Sequence, residues 1–335
     1  MREAHEVDNV RVAEQALMAR VPDGALMQRA AAGLAATCVR LLGRVYGARV
    51  VVLAGTGDNG GDALYAAARL AGRGASAVAV SVGSRLHEGG ARALRQAGGR
   101  ITDPGDAVVD DLIADADLII DGILGIGGHG GLREPAATLA GYVADAAADG
   151  AIVVATDLPS GVDADTGVVS GTAIRADVTV TFGTIKPGLL IDPGASYAGA
   201  VELVDIGLGP CLTAAPDVLA LQPADVAALL PHPAAESNKY RRGVLGIVAG
   251  SDKYTGAAVL STGGAIRAGA GMVRFVSASE AVGAPAGRSE SSSGRAASTV
   301  SPSASTSTGW SDASTARSRA AASSPVPRPG PATQA

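Results

Sequence analysis

The chain has 335 residues, of which 47% are hydrophobic and 3% aromatic, and its formal net charge at pH 7 is -5. This length allows one large domain or two ordinary ones, and the apolar fraction supplies a packed core. An acidic balance with no Lys/Arg cluster argues against nucleic acid as a partner. No apolar run approaches the roughly 18 residues of a membrane span, and the N-terminus lacks a signal-peptide pattern, so we expect a soluble cytoplasmic protein with no membrane partner.

The region before Gly207 has the pattern of an α/β domain. Two helices are predicted between Val10 and Gly43, separated by Pro22, Asp23 and Gly24. Short β-branched runs then alternate with helical stretches, which predicts a Rossmann-like three-layer sandwich with a mainly parallel sheet. The predicted strands are 50–54, 76–82, 117–120, 151–155, 178–182 and 201–204, and the predicted helices between them lie near 60–72, 88–98, 107–115 and 134–148. The last two strands follow long irregular connections, so we expect an antiparallel or mixed edge there.

The rest of the chain divides by composition. We expect a first domain over residues 1–209 and a Pro-containing linker over 210–233. A second pattern follows over 234–276, with a strand-like run from Val244, a helical run from Ala257 and another apolar run ending at Val276. Residues 277–335 are rich in Ser, Ala, Thr, Pro and Arg, and we predict that this low-complexity tail is disordered because it cannot bury enough apolar surface. Its composition also resembles an out-of-frame reading of a high-GC gene.

A glycine-rich turn follows the first predicted strand of the sheet. It reads Gly55-Thr-Gly-Asp-Asn-Gly-Gly-Asp62 and leads into a helix. Glycines let a backbone approach an anion closely, and the first N–H groups of the helix point toward it, so the turn predicts a phosphate-binding device. An acid in such a turn repels phosphate, and Asp62 therefore predicts a nearby cation, a sugar hydroxyl or a proton to be moved.

Three more polar loops follow predicted strands. One begins at Asp121 and contains the glycine-rich run 125–131, the next spans 157–163, and the third carries Lys186. Each is compatible with ordinary turn chemistry by itself. Loops after parallel strands meet at one crevice, however, and this crevice is where ligands bind. The oxygens of Asn59, Asp121 and Ser160 at this edge predict a hard cation and do not suit zinc.

These motifs resemble those of the NAD(P)H-hydrate epimerase family, the N-terminal half of a bifunctional repair enzyme. The matching segments are GTGDNGGD, DGILGIG, TDLPSGVDADTG and FGTIKPG, in the family's order between about Arg11 and Gly207. Asp58 stands where the family usually has Asn, and Ala63 where it usually has Gly. The resemblance implies a Rossmann-like fold, hydrated NADH or NADPH as the substrate, and a bound potassium ion.

The resemblance also assigns residues. It implies that potassium is held by Asn59, Asp121 and Ser160, and that the hydrated dinucleotide is contacted by Asp58, Asn59, Gly60, Gly61, Asp62, Gly125, Ile126, Gly127, Gly128, His129, Gly130, Gly131 and Asp157. Without the resemblance, the simpler interpretation of His129 is an exposed loop residue. For the chemistry we predict Asp157 as the acid/base and Lys186 as an orienting or proton-handling group.

The stretch from His232 to Val276 resembles the start of the ADP-dependent NAD(P)H-hydrate dehydratase domain, and the resemblance implies a truncated ribokinase-like fragment. A later GTGD-type motif of that family does not occur after Val276. We therefore predict that this chain has no dehydratase activity, and that ADP or ATP would serve only a complete second domain. We also expect the chain to form a homo-oligomer.

Two other functions fit the same turn. One is an NADP-dependent oxidoreductase, in which Ser84 and Arg85 after the second strand would suit a 2′-phosphate. The other is a dinucleotide-binding protein without catalysis. An oxidoreductase changes the absorbance of reduced nicotinamide and an epimerase does not, so this absorbance distinguishes the first alternative from an epimerase.

Overall fold

The computed structural model describes residues 1–230, 232, 235–251, 254–276 and 297–300, the last four by their backbone. The chain divides into two compact units, Met1–Leu230 and residues 231–335. Among the described residues, no helix is both long and apolar enough to cross a bilayer.

The elements follow one another along the chain as the sequence pattern predicts, with several additions. The strands are β1 (Arg2–Ala4), β2 (Arg49–Ala54), β3 (Ser76–Ser81), β4 (Arg100–Thr102), β5 (Leu118–Gly122), β6 (Ile152–Thr156), β7 (Val178–Phe182), β8 (Ala200–Val204), β9 (Val218–Ala220), β10 (Val244–Val248), β11 (Met272–Val276) and β12 (Ala297–Val300). The helices are α1 (Val7–Met18), α2 (Ala25–Leu42), α3 (Asp58–Ala71), α4 (Glu88–Gln96), α5 (Val109–Ala114), α6 (Ala136–Ala148), α7 (Gly194–Ala198), α8 (Pro223–Leu229) and α9 (Thr255–Arg267).

The first unit contains a seven-stranded sheet of order β4-β3-β2-β5-β6-β7-β8. All of its neighbouring strands pair in parallel. The six strands predicted from sequence are confirmed to within two residues at each end. The predicted antiparallel or mixed edge is wrong, because the segments before β7 and β8 return the chain to the same end of the sheet, although the first of them contains no α-helix.

Both faces of this sheet are covered. In β2, Val50 and Val52 belong to the cluster that includes α2 and α3, whereas Val51 and Leu53 belong to the cluster that includes α5 and α6. Side chains alternate between the faces of a strand, so an uninterrupted apolar run is what a strand buried on both sides requires. The three-layer sandwich is therefore confirmed.

The N-terminal segment pairs with a segment near the end of the first unit. β1 pairs antiparallel with β9, and the amino group of Met1 contacts Asp225 in α8 at 2.7 Å. The segment predicted as a linker over 210–233 thus contains β9 and α8, and α8 ends at Leu229. In the second unit, β10 pairs in parallel with β11, which pairs antiparallel with β12. The rest of the predicted tail, 277–296 and 301–335, lies outside the described residues.

The glycine turn is packed tightly against the loop after β5. A Cβ on Gly55 would lie 2.0 Å from the carbonyl oxygen of Ile123, whereas a Cβ on Gly57 would have no atom within 4 Å. We expect Gly55→Ala to lower the free energy of unfolding by about 1–3 kcal/mol, because the backbone must move to relieve the overlap. Gly57→Ala is the matched control in the same turn and should change it far less. Equal denaturation midpoints for the two variants would contradict this account of the turn.

Candidate functional site

A cavity of about 630 Å³ lies at the carboxyl end of the sheet. In the strand order, β2 and β5 are neighbours, and the chain continues from them toward opposite edges, so their following loops separate and leave a crevice. The glycine turn at Thr56 and the loop at Ile123 line this cavity, and α1 and the start of α2 contribute Glu14 and Met27 to its wall.

The predicted site residues fall into two groups. Those that line the cavity are Asp58, Asn59, Asp62, Gly125, Ile126, Gly127, Gly128 and Asp157. Those that do not line it are Gly60, Gly61, Asp121, His129, Gly130, Gly131, Ser160 and Lys186. The helix predicted near residue 60 begins at Asp58, so Gly60 and Gly61 lie in its first turn, where Gly60 packs against Gly55.

The far end of the glycine-rich loop points away from the cavity. His129 is 72% exposed in its side chain and its Nδ1 lies 3.3 Å from a carboxylate oxygen of Asp163. Gly131 packs against the backbone of Gly171, where a Cβ would lie 2.8 Å from a Cα atom. Four of the seven predicted loop residues therefore reach the cavity wall, and the other three support the loop or face outward.

Asp157 occupies a strained position directly after β6. Its φ is +66°, and it is the only residue other than glycine with a positive φ in the described part of the chain. Its N–H donates to the carbonyl of Val180, and its Oδ1 accepts from the hydroxyl of Thr181 at 3.0 Å and from the N–H of Phe182 at 3.3 Å. Such left-handed residues persist where surrounding contacts fix them, and they cluster at functional sites.

Lys186 is buried beneath Asp157, with 1% of its surface exposed. Its ammonium donates to Oδ1 of Asp157 at 2.5 Å, to the carbonyl of Phe182 at 3.0 Å and to the hydroxyl of Thr181 at 3.1 Å. These three acceptors use all three of its protons. A buried charge requires a partner, and the pair therefore holds an ionised carboxylate at the cavity wall.

The loop that carries Lys186 is tied to the N-terminus. The N–H of His5 donates to the carbonyl of Ile185 at 3.0 Å, and its ring Nδ1 lies 2.9 Å from the hydroxyl of Thr184. Both side chains are buried. The sequence pattern did not indicate this contact, because His5 belongs to no motif and lies 179 residues from Thr184.

Two of the other carboxyl groups that line this cavity, Asp62 and Glu14, have shifted pKa values. Asp62 in α3 is buried, and its Oδ1 has no hydrogen-bond partner. Burial raises the pKa of Asp62 well above its usual range, and the charges of Asp157, Asp58 and Glu14 raise it further. Burial also raises the pKa of Glu14, with Lys186 acting in the opposite direction. Sequence reasoning missed Glu14, since a single acid on an amphipathic helix carries no distinguishing signal.

Asp121 and Ser160 meet below the cavity. Asp121 is the last but one residue of β5, fully buried, and accepts from the hydroxyl and N–H of Ser160 at 2.6 and 2.8 Å. Burial raises the pKa of Asp121 to about 6, with the bonds from Ser160 and Ile123 acting against that rise. The sequence prediction that these two distant residues lie together is confirmed.

Asn59 lies close to the loop that follows Asp121. A Cβ on Gly125 would sit 3.1 Å from Oδ1 of Asn59, and the amide nitrogen of Asn59 is buried without a partner. The oxygen and the nitrogen of an amide side chain are assigned from their hydrogen bonds. Because the nitrogen of Asn59 has no acceptor, the amide fits equally well when turned over, with its oxygen at that position and facing a cation. Among the described residues, no group of three His, Cys, Asp or Glu side chains is arranged to hold a metal ion.

The strand order and the cavity at its switch point define a doubly wound, Rossmann-like α/β protein with a ligand crevice. A family model described as "YjeF-related protein N-terminus" matches residues 23–188, and one described as "NAD(P)H-hydrate dehydratase" matches residues 245–311. The second match extends past Val276, the residue at which the sequence analysis ends the dehydratase-like stretch.

Relatives and one solved structure agree with the first match. The NAD(P)H-hydrate epimerase of Clavibacter michiganensis is 44% identical over 60% of this chain and 88% of its own length. The bifunctional NAD(P)H-hydrate repair enzyme Nnr of Mycobacterium leprae is 48% identical over 82% of this chain and 56% of its own length. The crystal structure of yeast ynu0 covers 65% of this chain and 96% of its own, with a TM-score of 0.54 and 20% identity, and shows the same fold.

The chain belongs to the NAD(P)H-hydrate epimerase family. It spans little more than half the length of the mycobacterial Nnr relatives that it matches. The glycine turn, the loop after β5 and the loops carrying Asp157 and Lys186 all lie within residues 23–188, so the family match contains the core of the site.

Proposed function

We propose that this chain interconverts the R and S epimers of hydrated NADH and NADPH. The observation that carries the proposal is the Asp157–Lys186 pair, because it holds a carboxylate in a fixed, strained position at the wall of the switch-point cavity. The names of the relatives, which include an NAD(P)H-hydrate epimerase, support the same substrate.

The reaction needs proton transfer and no redox cofactor. The substrate carries a hydroxyl on the ring carbon beside the nicotinamide nitrogen, and the nitrogen lone pair can expel it to leave an iminium-like ring. Water then adds to the opposite face and gives the other epimer. Asp157 would take a proton from the entering water, and its negative charge would stabilise the ring cation. Lys186 would fix the position of Asp157 through its hydrogen bond.

We propose that the substrate lies between the glycine turn and the loop after β5. The cavity volume falls within the range of about 300–1,000 Å³ that is usual for small-molecule sites. The proposed contacts are Asp58, Asn59 and Asp62 from α3 and residues 125–128 from the loop. Gly60 and Gly61 would contribute through the backbone of the first helical turn, and residues 129–131 through the support of the loop.

Potassium would be held by Asn59, Asp121 and Ser160. Their amide, carboxylate and hydroxyl oxygens are the hard donors that such a cation prefers, and the buried amide nitrogen of Asn59 has no hydrogen-bond partner. When bound, the ion would supply positive charge that fixes the loops around the dinucleotide. The three residues come from α3, β5 and the turn after β6, so they connect the elements that form the cavity.

The cation proposal predicts a specific stabilisation. We expect the thermal midpoint of the parent protein to rise as potassium replaces choline at constant ionic strength, since a ligand of the folded state stabilises it by about 2.7 kcal/mol at 100 times its Kd. Asn59→Ala should remove most of this rise. The same potassium response in the parent and in Asn59→Ala would contradict the assignment of Asn59.

The function is tested by incubating each purified hydrate epimer with the protein and separating the epimers by chromatography. We expect both starting epimers to reach the same mixture, with one solvent oxygen incorporated per inversion in ¹⁸O-labelled water. The absorbance of reduced nicotinamide should not change. Epimers that do not interconvert while the hydrate binds would indicate a binding protein, and a changing absorbance would indicate an oxidoreductase.

The proposal covers epimerisation alone. The absence of ADP-dependent dehydration from this chain stays a sequence prediction, and incubation of the hydrates with ADP or ATP tests it by recovery of the reduced-nicotinamide absorbance. A cytoplasmic location and a homo-oligomer likewise stay predictions.

A further inference from the structure

The Asp157–Lys186 pair provides one ionised carboxylate, but hydroxide is a poor leaving group and also requires an acid. The described residues place other carboxyl groups at the same cavity. Asp62 comes from α3, Asp58 from the first residue of that helix, and Glu14 from α1. Of these, Asp62 is the one whose Oδ1 is buried without any hydrogen-bond partner.

The surroundings of Asp62 favour its neutral form. Lys186 is the positive charge that acts on it, and this ammonium is already bonded to Asp157, Thr181 and Phe182. Three negative groups oppose ionisation, namely Asp157, Asp58 and Glu14. A carboxyl group that is desolvated, unpaired and close to a carboxylate keeps its proton. A protonated carboxyl has an O–H to donate, and Asp62 lines the cavity with one buried oxygen that no other group uses.

We propose that Asp62 is the general acid that protonates the departing hydroxyl of the hydrated nicotinamide ring. This inference rests on the proposed epimerase function and assigns to Asp62 a catalytic role beyond the contact with the dinucleotide that the sequence predicts. The acid and base roles then belong to two carboxyl groups in different environments. Asp157, the base, is paired with the buried Lys186, and Asp62, the acid, is unpaired.

The step is balanced in atoms and charge. The proton of Asp62 moves to the hydroxyl oxygen, the carbon–oxygen bond breaks, and water leaves as the nitrogen lone pair forms the carbon–nitrogen double bond. A water molecule then adds to the other face of the ring carbon and loses a proton to Asp157. The enzyme ends with Asp62 ionised and Asp157 protonated, which is the state that catalyses the reverse inversion. Proton exchange with solvent restores the initial state.

The principal test is Asp62→Asn, which keeps the shape of the side chain and removes the acid. We expect kcat to fall by about 10²–10⁴-fold, the usual contribution of acid or base catalysis, with little change in KM. The decrease of kcat at alkaline pH, which reports loss of the acid's proton in the parent, should disappear. Asp145→Asn, at an exposed acid on α6, is the control and should retain parental kcat and pH dependence.

Three results overturn the inference while leaving the epimerase function intact. The first is parental kcat in Asp62→Asn. The second is an increase in KM with unchanged kcat, which would mean that Asp62 contributes binding alone. The third is an unchanged alkaline limb. Failure of the parent protein itself to epimerise would instead reject the proposed function, so the two failures are distinguishable.

A second variant keeps the inference testable if Asp62→Asn does not fold. Glu14→Gln removes one of the negative charges that oppose ionisation of Asp62, and Glu14 lies on a different helix. We expect the alkaline limb of kcat to move to lower pH, because Asp62 then loses its proton more easily. A limb that stays at the parental pH or moves upward would contradict the assignment.

Discussion

Lys186→Met should lower the free energy of unfolding by about 3–5 kcal/mol, the usual cost of removing one partner of a buried ion pair. Met fills similar space but leaves the carboxylate of Asp157 buried without its cation and leaves the carbonyl of Phe182 with one donor fewer. Equilibrium denaturation measures the change. We also expect epimerase activity to fall, because Asp157 loses the group that positions it.

An exposed ion pair provides the control for this prediction. Arg49 is 53% exposed and contacts Asp117 at 3.2 Å. Solvent screens this pair, so Arg49→Met should shift the denaturation midpoint far less than Lys186→Met. The double variant Lys186→Met/Asp157→Asn removes both charges and should recover part of the lost stability. A parental midpoint for Lys186→Met would show that the lysine is not held in a buried pair.

Asp157→Asn should reduce kcat by about 10²–10⁴-fold. It should also lower the free energy of unfolding, because the buried ammonium of Lys186 loses its counter-ion. Asn is isosteric with Asp and tolerates the left-handed backbone that the φ of +66° requires, so the substitution removes the base without adding strain. Its amide oxygen can still accept a hydrogen bond from Lys186. The measurement is the initial rate of epimer interconversion, together with direct binding of the hydrate.

The control for this prediction is Asp111→Asn, at an exposed acid on α5. It should retain the parental rate. If Asp157→Asn binds the hydrate and interconverts the epimers at the parental rate, then Asp157 is not the base. The reaction would then have to depend on another carboxyl group at the cavity wall, such as that of Asp58 or Glu14.

Local sequence patterns were sufficient to predict six of the seven strands of the sheet, although not β4 or the parallel edge. The apolar runs at Val50 and Val178 are short, β-branched and bounded by turns, and each forms a strand buried on both faces. The loops after those strands were also predictable, since parallel strands bring their carboxyl ends together. This reasoning placed Asp121 beside Ser160, and the structure gives a hydrogen bond of 2.6 Å between them.

Features that depend on packing between distant segments were not predictable in the same way. Glu14 reaches the cavity only because α1 packs beside the end of the sheet, and its own segment shows nothing but helical periodicity. The edge at β7 and β8 was predicted to be antiparallel or mixed because long irregular connections precede both strands, and this was wrong. His129 belongs to a predicted binding loop but pairs with Asp163, a contact that its glycine neighbours could not indicate.

The contacts of His5 have a practical consequence for anyone preparing this protein. Residues 2–5 brace the segment that presents the buried lysine, and the α-amino group ahead of them is engaged by Asp225. Removing these residues would take away the hydrogen bonds to Ile185 and Thr184, and we expect it to lower the proposed activity without changing any residue of the cavity wall. Purification handles are better placed away from this end.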